Sequence, residues 1–152
     1  MNKKTKELIV AILIPVILGF IFSMFTNSST VYKELIKPKL SPPGYFFPIV
    51  WTILYILMGI SSYLIYEKEG IDNKRIKLYG IQLFVNLFWT IIFFNFRLYL
   101  LSFLWLVFLI ILVIMMIKEF LNIDKKAAYL QIPYLIWILF ASYLNFSIFI
   151  LN

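Results

Sequence analysis

The sequence predicts an all-α membrane protein, a five-transmembrane-helix bundle that forms a single domain over residues 1–152. Hydrophobic residues make up 63% of the chain, whereas soluble domains contain about 45–50% apolar residues. The apolar residues fall in five uncharged runs, each long enough to cross about 30 Å of hydrocarbon. The runs also lack the strict alternation of a transmembrane barrel strand, which leaves helices as the spanning element.

The five runs cover residues 8–25, 46–66, 78–96, 98–117 and 127–151. All 14 basic and all seven acidic residues lie outside them. The first run has no small-residue cleavage site and a second run follows after a short loop, so it is predicted to be a span rather than a signal peptide. The third connection is very short, around residues 95–97, which predicts that spans three and four are antiparallel neighbours.

The basic residues predict the orientation. The side that holds the N-terminus carries most of them: Lys3, Lys4, Lys6, Lys68, Lys74, Arg75, Lys77, Lys118, Lys125 and Lys126. Because short cytoplasmic loops are enriched in Lys and Arg, the N-terminus is expected in the cytoplasm and the C-terminus outside the cell membrane. The net charge of +7 is then explained by topology and by contact with membrane lipid head groups, and no nucleic-acid partner is expected.

The composition excludes several kinds of chemistry. The chain contains no cysteine and no histidine, so disulfides, thiol catalysis and histidine-ligated metals are ruled out and no metal site is expected. No charged side chain lies inside a span, which argues against a pump, a coupled transporter or a charge-lined channel. Paired-carboxylate catalysis is absent for the same reason, and no catalytic residue is assigned from the composition.

Three spans each present a stripe of aromatic and polar residues at helical spacing. By span, the positions are Trp51, Tyr55, Met58 and Ser62; Gln82, Asn86, Trp89 and Phe93; and Tyr134, Trp137, Ala141 and Asn145. If the stripes face one another, they form a large cavity with flat aromatic walls and a few hydrogen-bonding groups. Such a cavity suits a planar, mostly apolar ligand.

Simpler roles compete with ligand binding at several of these positions. Gln82, Asn86 and Asn145 are expected first of all to hydrogen-bond between helices. Trp51 suits an interfacial belt as well as it suits a pocket. Trp137 lies deeper in its span, and a buried indole needs a partner for its N–H, which favours a pocket position.

Other residues are expected to have structural roles. Gly19, Gly59 and Gly80 are interpreted as positions where helices pack closely. Trp105 is expected to face lipid or a partner chain. Pro133 is expected to kink the fifth span, because proline removes a backbone hydrogen bond.

The segment "KPKLSPPGYFFPIVWT", residues 37–52, contains four of the six prolines. Proline has no amide N–H to leave unpaired and fixes φ, so Pro38, Pro42 and Pro43 predict a stiff, extended segment. The loop over residues 27–45 is therefore expected to act as a lid over the pocket on the outer face. Pro48 falls in the first turn of span two, where a missing N–H costs little.

Three stretches carry a resemblance to a known family: "YKELIKPKLSPPGYFFPIVWTILYILMG", "QLFVNLFWTIIFF" and "PYLIWILFASYLN". From Tyr32 onward, the chain resembles the TspO/translocator protein family, also called the tryptophan-rich sensory protein or peripheral benzodiazepine receptor family. The order and spacing of these stretches follow the family's five-span pattern. The resemblance, which is to bacterial-type members, implies a five-helix bundle in a bacterial plasma membrane, commonly a homodimer, with its first loop folded over a pocket.

The resemblance also implies a function. It predicts an integral membrane protein that binds a tetrapyrrole, either a porphyrin such as protoporphyrin IX or haem, and acts as a sensor, regulator or carrier with no required cofactor. One alternative is an enzyme that degrades protoporphyrin in a light-dependent reaction, in which Trp51 and Trp137 match the family's implicated tryptophans. A second alternative is a structural or regulatory partner protein with a vestigial pocket.

The expected ligand-binding residues are Trp51, Tyr55, Asn86, Trp89, Tyr134, Trp137 and Ala141. At the mouth, Lys33, Lys37 or Lys39 would pair with the propionates of the ligand or would remain solvated. Without histidine, haem could bind only through its shape, stacking and propionate contacts.

The chain departs from the family at two tryptophan positions, which are Val31 and Leu101 here. The family's cholesterol motif at the end of span five needs a terminal Lys or Arg. The stretch "ASYLNFSIFILN" contains neither, so cholesterol recognition through that motif is not predicted.

Overall fold

The computed structural model describes all residues 1–152, and every regular element is a helix. The helices are α1 (Lys3–Met24), α2 (Ser28–Glu34), α3 (Phe46–Glu69), α4 (Lys74–Thr90), α5 (Tyr99–Leu121), α6 (Lys125–Leu130) and α7 (Ile132–Leu151), and α4 continues through a π-helical turn, Ile91–Asn95. Five of these segments are long and apolar enough to cross a membrane: Lys3–Met24, Phe46–Glu69, Lys74–Asn95, Tyr99–Leu121 and Lys125–Leu151. The predicted fold class, an all-α five-span bundle, is confirmed.

Three polar caps start helices at the end of the bundle that carries the N-terminus. The side-chain oxygens of Asn2, Asn73 and Asp124 each accept hydrogen bonds from backbone N–H groups in the first turn of α1, α4 and α6. Each cap satisfies donors that have no partner within the helix and contributes about 1 kcal/mol. The caps explain why these spans begin several residues before their uncharged runs.

The fifth span is interrupted just before its proline. Helix α6 ends at Leu130, the chain turns at Gln131, and Pro133 lies in the first turn of α7. Proline has no N–H to donate to the carbonyl group four residues earlier, so a helix is distorted on the N-terminal side of the proline. The predicted distortion of span five by Pro133 is therefore present, as an interruption two residues before the proline.

The long helices pack in sequential pairs, with α1 along α3, α4 against α5 and α5 against α7. The short connection between α4 and α5 makes them antiparallel neighbours, as expected, with Arg97 in the left-handed region at φ 54°. The indole Nε1 of Trp105 on α5 donates a 2.6 Å hydrogen bond to the carbonyl oxygen of Val85 on α4. The indole N–H of Trp105 is thus turned toward α4, while its ring stays half-exposed on the outside of the bundle.

Glycine sets the distance between α1 and α3. A Cβ on Gly59 would lie 2.5 Å from the Cα atom of Ile12 and 2.6 Å from the carbonyl oxygen of Ala11. A Cβ on Gly19 would collide with the ring of Tyr55. These two glycines are close-packing positions, as predicted. Gly80, in contrast, is exposed on α4, and a Cβ added there would meet no atom within 4 Å.

Replacing Gly59 by alanine should push α1 away from α3 and lower the free energy of unfolding by about 1–3 kcal/mol. The opposing atoms belong to backbone, so a change of rotamer cannot relieve the clash. The matched control is Gly80→Ala, which should be neutral or stabilising by up to about 1 kcal/mol because alanine favours helix. Thermal unfolding of both purified variants in one detergent measures the difference, and equal midpoints would contradict the close-packing role of Gly59.

Candidate functional site

A cavity of about 1090 Å³ opens at the end of the bundle where α1 ends and α3 begins, which we call the loop end. Its walls come from α1, α3, α4 and α7, and the connection between α1 and α3 forms its outer rim. Helix α5 contributes no residue to the cavity surface. The cavity is thus built from the three spans with predicted stripes, joined by α1 and the proline-rich connection.

Five of the seven predicted ligand-binding residues line this cavity: Trp51, Tyr55, Asn86, Trp89 and Ala141. The rings of Trp51 and Tyr55 are stacked, with their centroids 5.5 Å apart and their planes 27° apart. This stack gives the α3 wall two nearly parallel aromatic faces. Planar ligands bind such walls by offset stacking.

A chain of buried hydrogen bonds closes the floor of the cavity. The Tyr55 hydroxyl donates to Asn86 Oδ1 (2.7 Å), Asn86 Nδ2 donates to the Tyr134 oxygen (2.9 Å), and the Tyr134 hydroxyl donates to Gln82 Oε1 (2.8 Å). We call these four residues the floor network. It joins α3, α4 and α7, so the interhelical hydrogen bonding expected of Asn86 and Gln82 is present. Tyr134 lies behind Asn86 and does not reach the cavity surface.

A second polar contact joins the helices closer to the loop end. Trp89 Nε1 donates to Asn145 Oδ1 (3.0 Å), and Asn145 Nδ2 donates to the carbonyl oxygen of Tyr99 (2.8 Å). Asn145 is 1% exposed, although it contributes to the cavity wall. Because the amides of Asn86 and Asn145 and the indole of Trp89 are already paired within the protein, the cavity offers a ligand mainly aromatic and aliphatic carbon, together with the unpaired indole N–H of Trp51.

Trp137 supports the wall from behind. Its ring packs against Phe46 at 6.0 Å, Phe47 at 5.8 Å and Trp51 at 6.4 Å between centroids, and it is not among the residues that line the cavity. Its Nε1 atom is shielded from solvent and has no hydrogen-bond partner in the protein. Trp137 therefore fixes the start of α3 and the position of Trp51, and the expected partner for its N–H is not found in the cavity.

The connection over residues 27–45 begins with a short helix that was not predicted. Residues Ser28–Glu34 form α2, the backbone is extended at Leu35, and the part that contains Pro38, Pro42 and Pro43 has no helix. Side chains hold the connection in place: the Asn152 amide bonds both backbone groups of Ile36, at 3.1 and 2.8 Å. The Tyr32 hydroxyl donates to the Pro42 carbonyl oxygen at 2.5 Å. Burial raises the pKa of Tyr32, so this hydroxyl remains a donor.

The prolines of the connection supply carbonyl acceptors that shape it. The Pro38 carbonyl accepts from the Ser41 N–H (3.1 Å), and the Pro43 carbonyl accepts from the Phe46 N–H (3.0 Å) at the start of α3. Pro38, Pro42 and Pro43 do not themselves line the cavity. The residues beside them do, since Lys37, Gly44 and Tyr45 belong to its rim.

One wall of the cavity was not predicted. Helix α1 contributes six residues, Val16, Ile17, Gly19, Phe20, Phe22 and Ser23. Span one has no aromatic and polar stripe, so nothing in its pattern indicated this role directly. The only available signal was the pair Gly19 and Ser23, which lie one helical turn apart and leave room beside Tyr55.

The two departures from the family pattern lie outside the cavity wall. Val31 is 1% exposed within α2, and Leu101 is 47% exposed on α5. Neither residue lines the cavity.

Comparison with known proteins agrees with this architecture. The sequence matches the TspO/MBR family over residues 11–151. It is 38% identical to the tryptophan-rich protein TspO of Chlorobaculum tepidum over an alignment of 157 positions, which covers 100% of this chain and 99% of that protein. It is 33% identical to the tryptophan-rich sensory protein of Cereibacter sphaeroides, covering 80% of this chain and 76% of that protein. It is 31% identical to the translocator protein of Bos taurus, and the alignment covers 88% of this chain and 83% of that protein. The chain therefore belongs to the TspO/MBR family and is an integral membrane protein.

Proposed function

We propose that the protein is a membrane sensor or regulator that binds a tetrapyrrole, such as protoporphyrin IX or haem, in the cavity at the loop end. The observation that supports this most directly is a cavity of about 1090 Å³ whose wall amides, Asn86 and Asn145, are already paired within the protein. Ligand pockets commonly measure about 300–1,000 Å³, so this one suits a large ligand. The name of the Cereibacter sphaeroides relative, a tryptophan-rich sensory protein, supports the sensory role.

The proposed ligand fits the chemistry of the walls. A porphyrin presents two broad aromatic faces, which match the stacked rings of Trp51 and Tyr55. Its interior needs no hydrogen bond from the wall, and the wall offers few, because Asn86 and Asn145 bond other protein groups. Stacking and apolar burial would then supply most of the affinity.

We further propose that the connection over residues 27–45 acts as a lid and that the loop end faces outward. Residues of this connection line the outer part of the cavity, including Tyr32 and Tyr45. Its contacts through Asn152 and Pro42 would hold it over a bound ligand. The outward placement is supported by the excess of Lys and Arg at the opposite end of the bundle.

Protoporphyrin IX should quench the tryptophan fluorescence of the purified protein in a saturable manner. Replacing Ala141 by phenylalanine should weaken this binding by about tenfold or more, because the added ring fills space that the ligand would occupy and overpacking costs about 1–3 kcal/mol. Ala141 is 7% exposed and lines the cavity.

The matched control is Ser142→Phe, a similar enlargement at the next position of α7, which does not line the cavity. This variant should bind protoporphyrin IX as the unaltered protein does. Both variants should retain cooperative thermal unfolding, which verifies that they are folded. A linear, unsaturable response in the unaltered protein would contradict the proposed function. Equal binding by both variants would show that protoporphyrin IX binds outside this cavity.

The double variant Pro42→Ala/Pro43→Ala should release protoporphyrin IX about fivefold faster. Each alanine restores backbone freedom worth about 0.4–1 kcal/mol, while the carbonyl groups that accept from Tyr32 and Phe46 remain. The measurement is the dissociation rate after dilution into excess lipid vesicles. The control is Pro133→Ala, at the opposite end of the bundle, which should leave the rate unchanged. A double variant that inserts poorly but releases ligand at the normal rate would contradict the lid role and would leave this segment as a simple connection between α1 and α3.

A further inference from the structure

The polar groups of the cavity divide into two sets by position. Most of those of the wall are paired inside the protein: Tyr55 and Trp89 bond Asn86 and Asn145, and Thr90 Oγ1 bonds the carbonyl oxygen of Leu87 at 2.7 Å. The indole N–H of Trp51 is the exception, because it forms no hydrogen bond within the protein. Those of the rim include Ser28, Ser29 and Lys33, whose side chains form no hydrogen bond within the protein. A ligand can therefore gain polar contacts at the rim and few along the wall.

The charged residues that line the cavity are all basic. Its lining residues include Lys33 and Lys37 and contain no Asp or Glu. The Lys37 ammonium is already occupied, because it donates to the carbonyl oxygens of Tyr32 (2.6 Å) and Leu35 (2.9 Å) and lies 4.7 Å from the centre of the Tyr32 ring. It holds the end of α2 and is not available to a ligand without breaking these bonds.

Lys33 is different, because it lines the rim, is exposed, and forms no salt bridge or hydrogen bond. The acid next to it in sequence, Glu34, instead lies 3.5 Å from the guanidinium of Arg97. Lys39, the third basic residue of the connection, does not line the cavity. Lys33 is therefore the one unpaired cation at the mouth of an otherwise apolar cavity.

We propose that Lys33 determines specificity by pairing with an anionic group of the ligand, so that the site selects amphipathic carboxylates. In such a ligand an apolar, planar body fills the cavity and a carboxylate lies at the rim beside α2. This inference rests on the proposed function, because it places the propionate end of the tetrapyrrole beside Lys33. It also narrows the ligands to those that carry a free carboxylate. Porphyrins with free propionates satisfy it, whereas their neutral esters do not.

The test compares protoporphyrin IX with its dimethyl ester, which keeps the macrocycle and removes both charges. Each compound is titrated against the unaltered protein and against Lys33→Gln in nanodiscs of zwitterionic phosphatidylcholine, so that lipid charge does not compete. Lys33→Gln should weaken binding of the free acid about two- to fivefold, as expected for an exposed ion pair. Binding of the ester should not change.

Two further variants separate charge from structure. Lys33→Arg should restore the affinity for the free acid, and Lys39→Gln should leave the affinities for both compounds unaltered. Equal losses for acid and ester in Lys33→Gln, or no loss for either, would overturn the assignment of Lys33 while leaving the proposed function intact. Absence of saturable binding of both compounds to the unaltered protein would overturn the proposed function, and the assignment of Lys33 with it.

Discussion

The floor network is the constraint on which the rest of the structure depends. Four polar side chains from three helices, Tyr55, Gln82, Asn86 and Tyr134, are buried at the centre of a bundle that crosses a membrane. Because hydrocarbon offers no hydrogen bonds, each of these groups is costly unless it meets a partner. Their mutual bonds, at 2.7–2.9 Å, fix the distances and rotations of α3, α4 and α7 at one level of the bundle.

The two halves of the bundle, on either side of this network, differ in how closely their helices pack. On the side that carries the N-terminus, Gly59 brings the backbones of α1 and α3 into contact and leaves no room for a ligand. On the loop side, α1 and α3 carry Phe20, Ser23 and Trp51 on the cavity surface, and the space between helices stays open. Pairing of the wall amides keeps this space apolar, and the connection above it supplies the unpaired charge of Lys33. The amides of the wall therefore have hydrogen-bond partners within the protein, whereas the Lys33 ammonium at the rim has none.

The fold and much of the candidate site could be predicted from the sequence because hydrophobicity and helical spacing are local properties. Uncharged runs located the spans, and 3.6-residue spacing placed Trp51, Tyr55, Asn86, Trp89 and Ala141 on inward faces. Spacing could not distinguish a surface position from one directly behind it, so Trp137, which supports Trp51, was grouped with the cavity residues. The contacts that occupy Lys37 and leave Lys33 free could not be predicted either, because they depend on the three-dimensional path of the connection. The interruption at Gln131 could be anticipated from Pro133, because the backbone hydrogen bond that proline removes is a local property.

The four tryptophans provide the most direct test of the central claim that a tetrapyrrole binds in the cavity above the floor network. Trp51 and Trp89 line the cavity, Trp137 lies behind the wall, and Trp105 faces α4 from α5. Fluorine NMR of the protein labelled with 5-fluorotryptophan gives one signal per indole, assigned by single Trp→Phe variants. At saturating protoporphyrin IX, the ring current of the ligand should shift the signals of Trp51 and Trp89 strongly, that of Trp137 weakly and that of Trp105 not at all. A dominant shift at Trp105, with Trp51 and Trp89 unmoved, would place the ligand on the outer surface of the bundle and contradict the account.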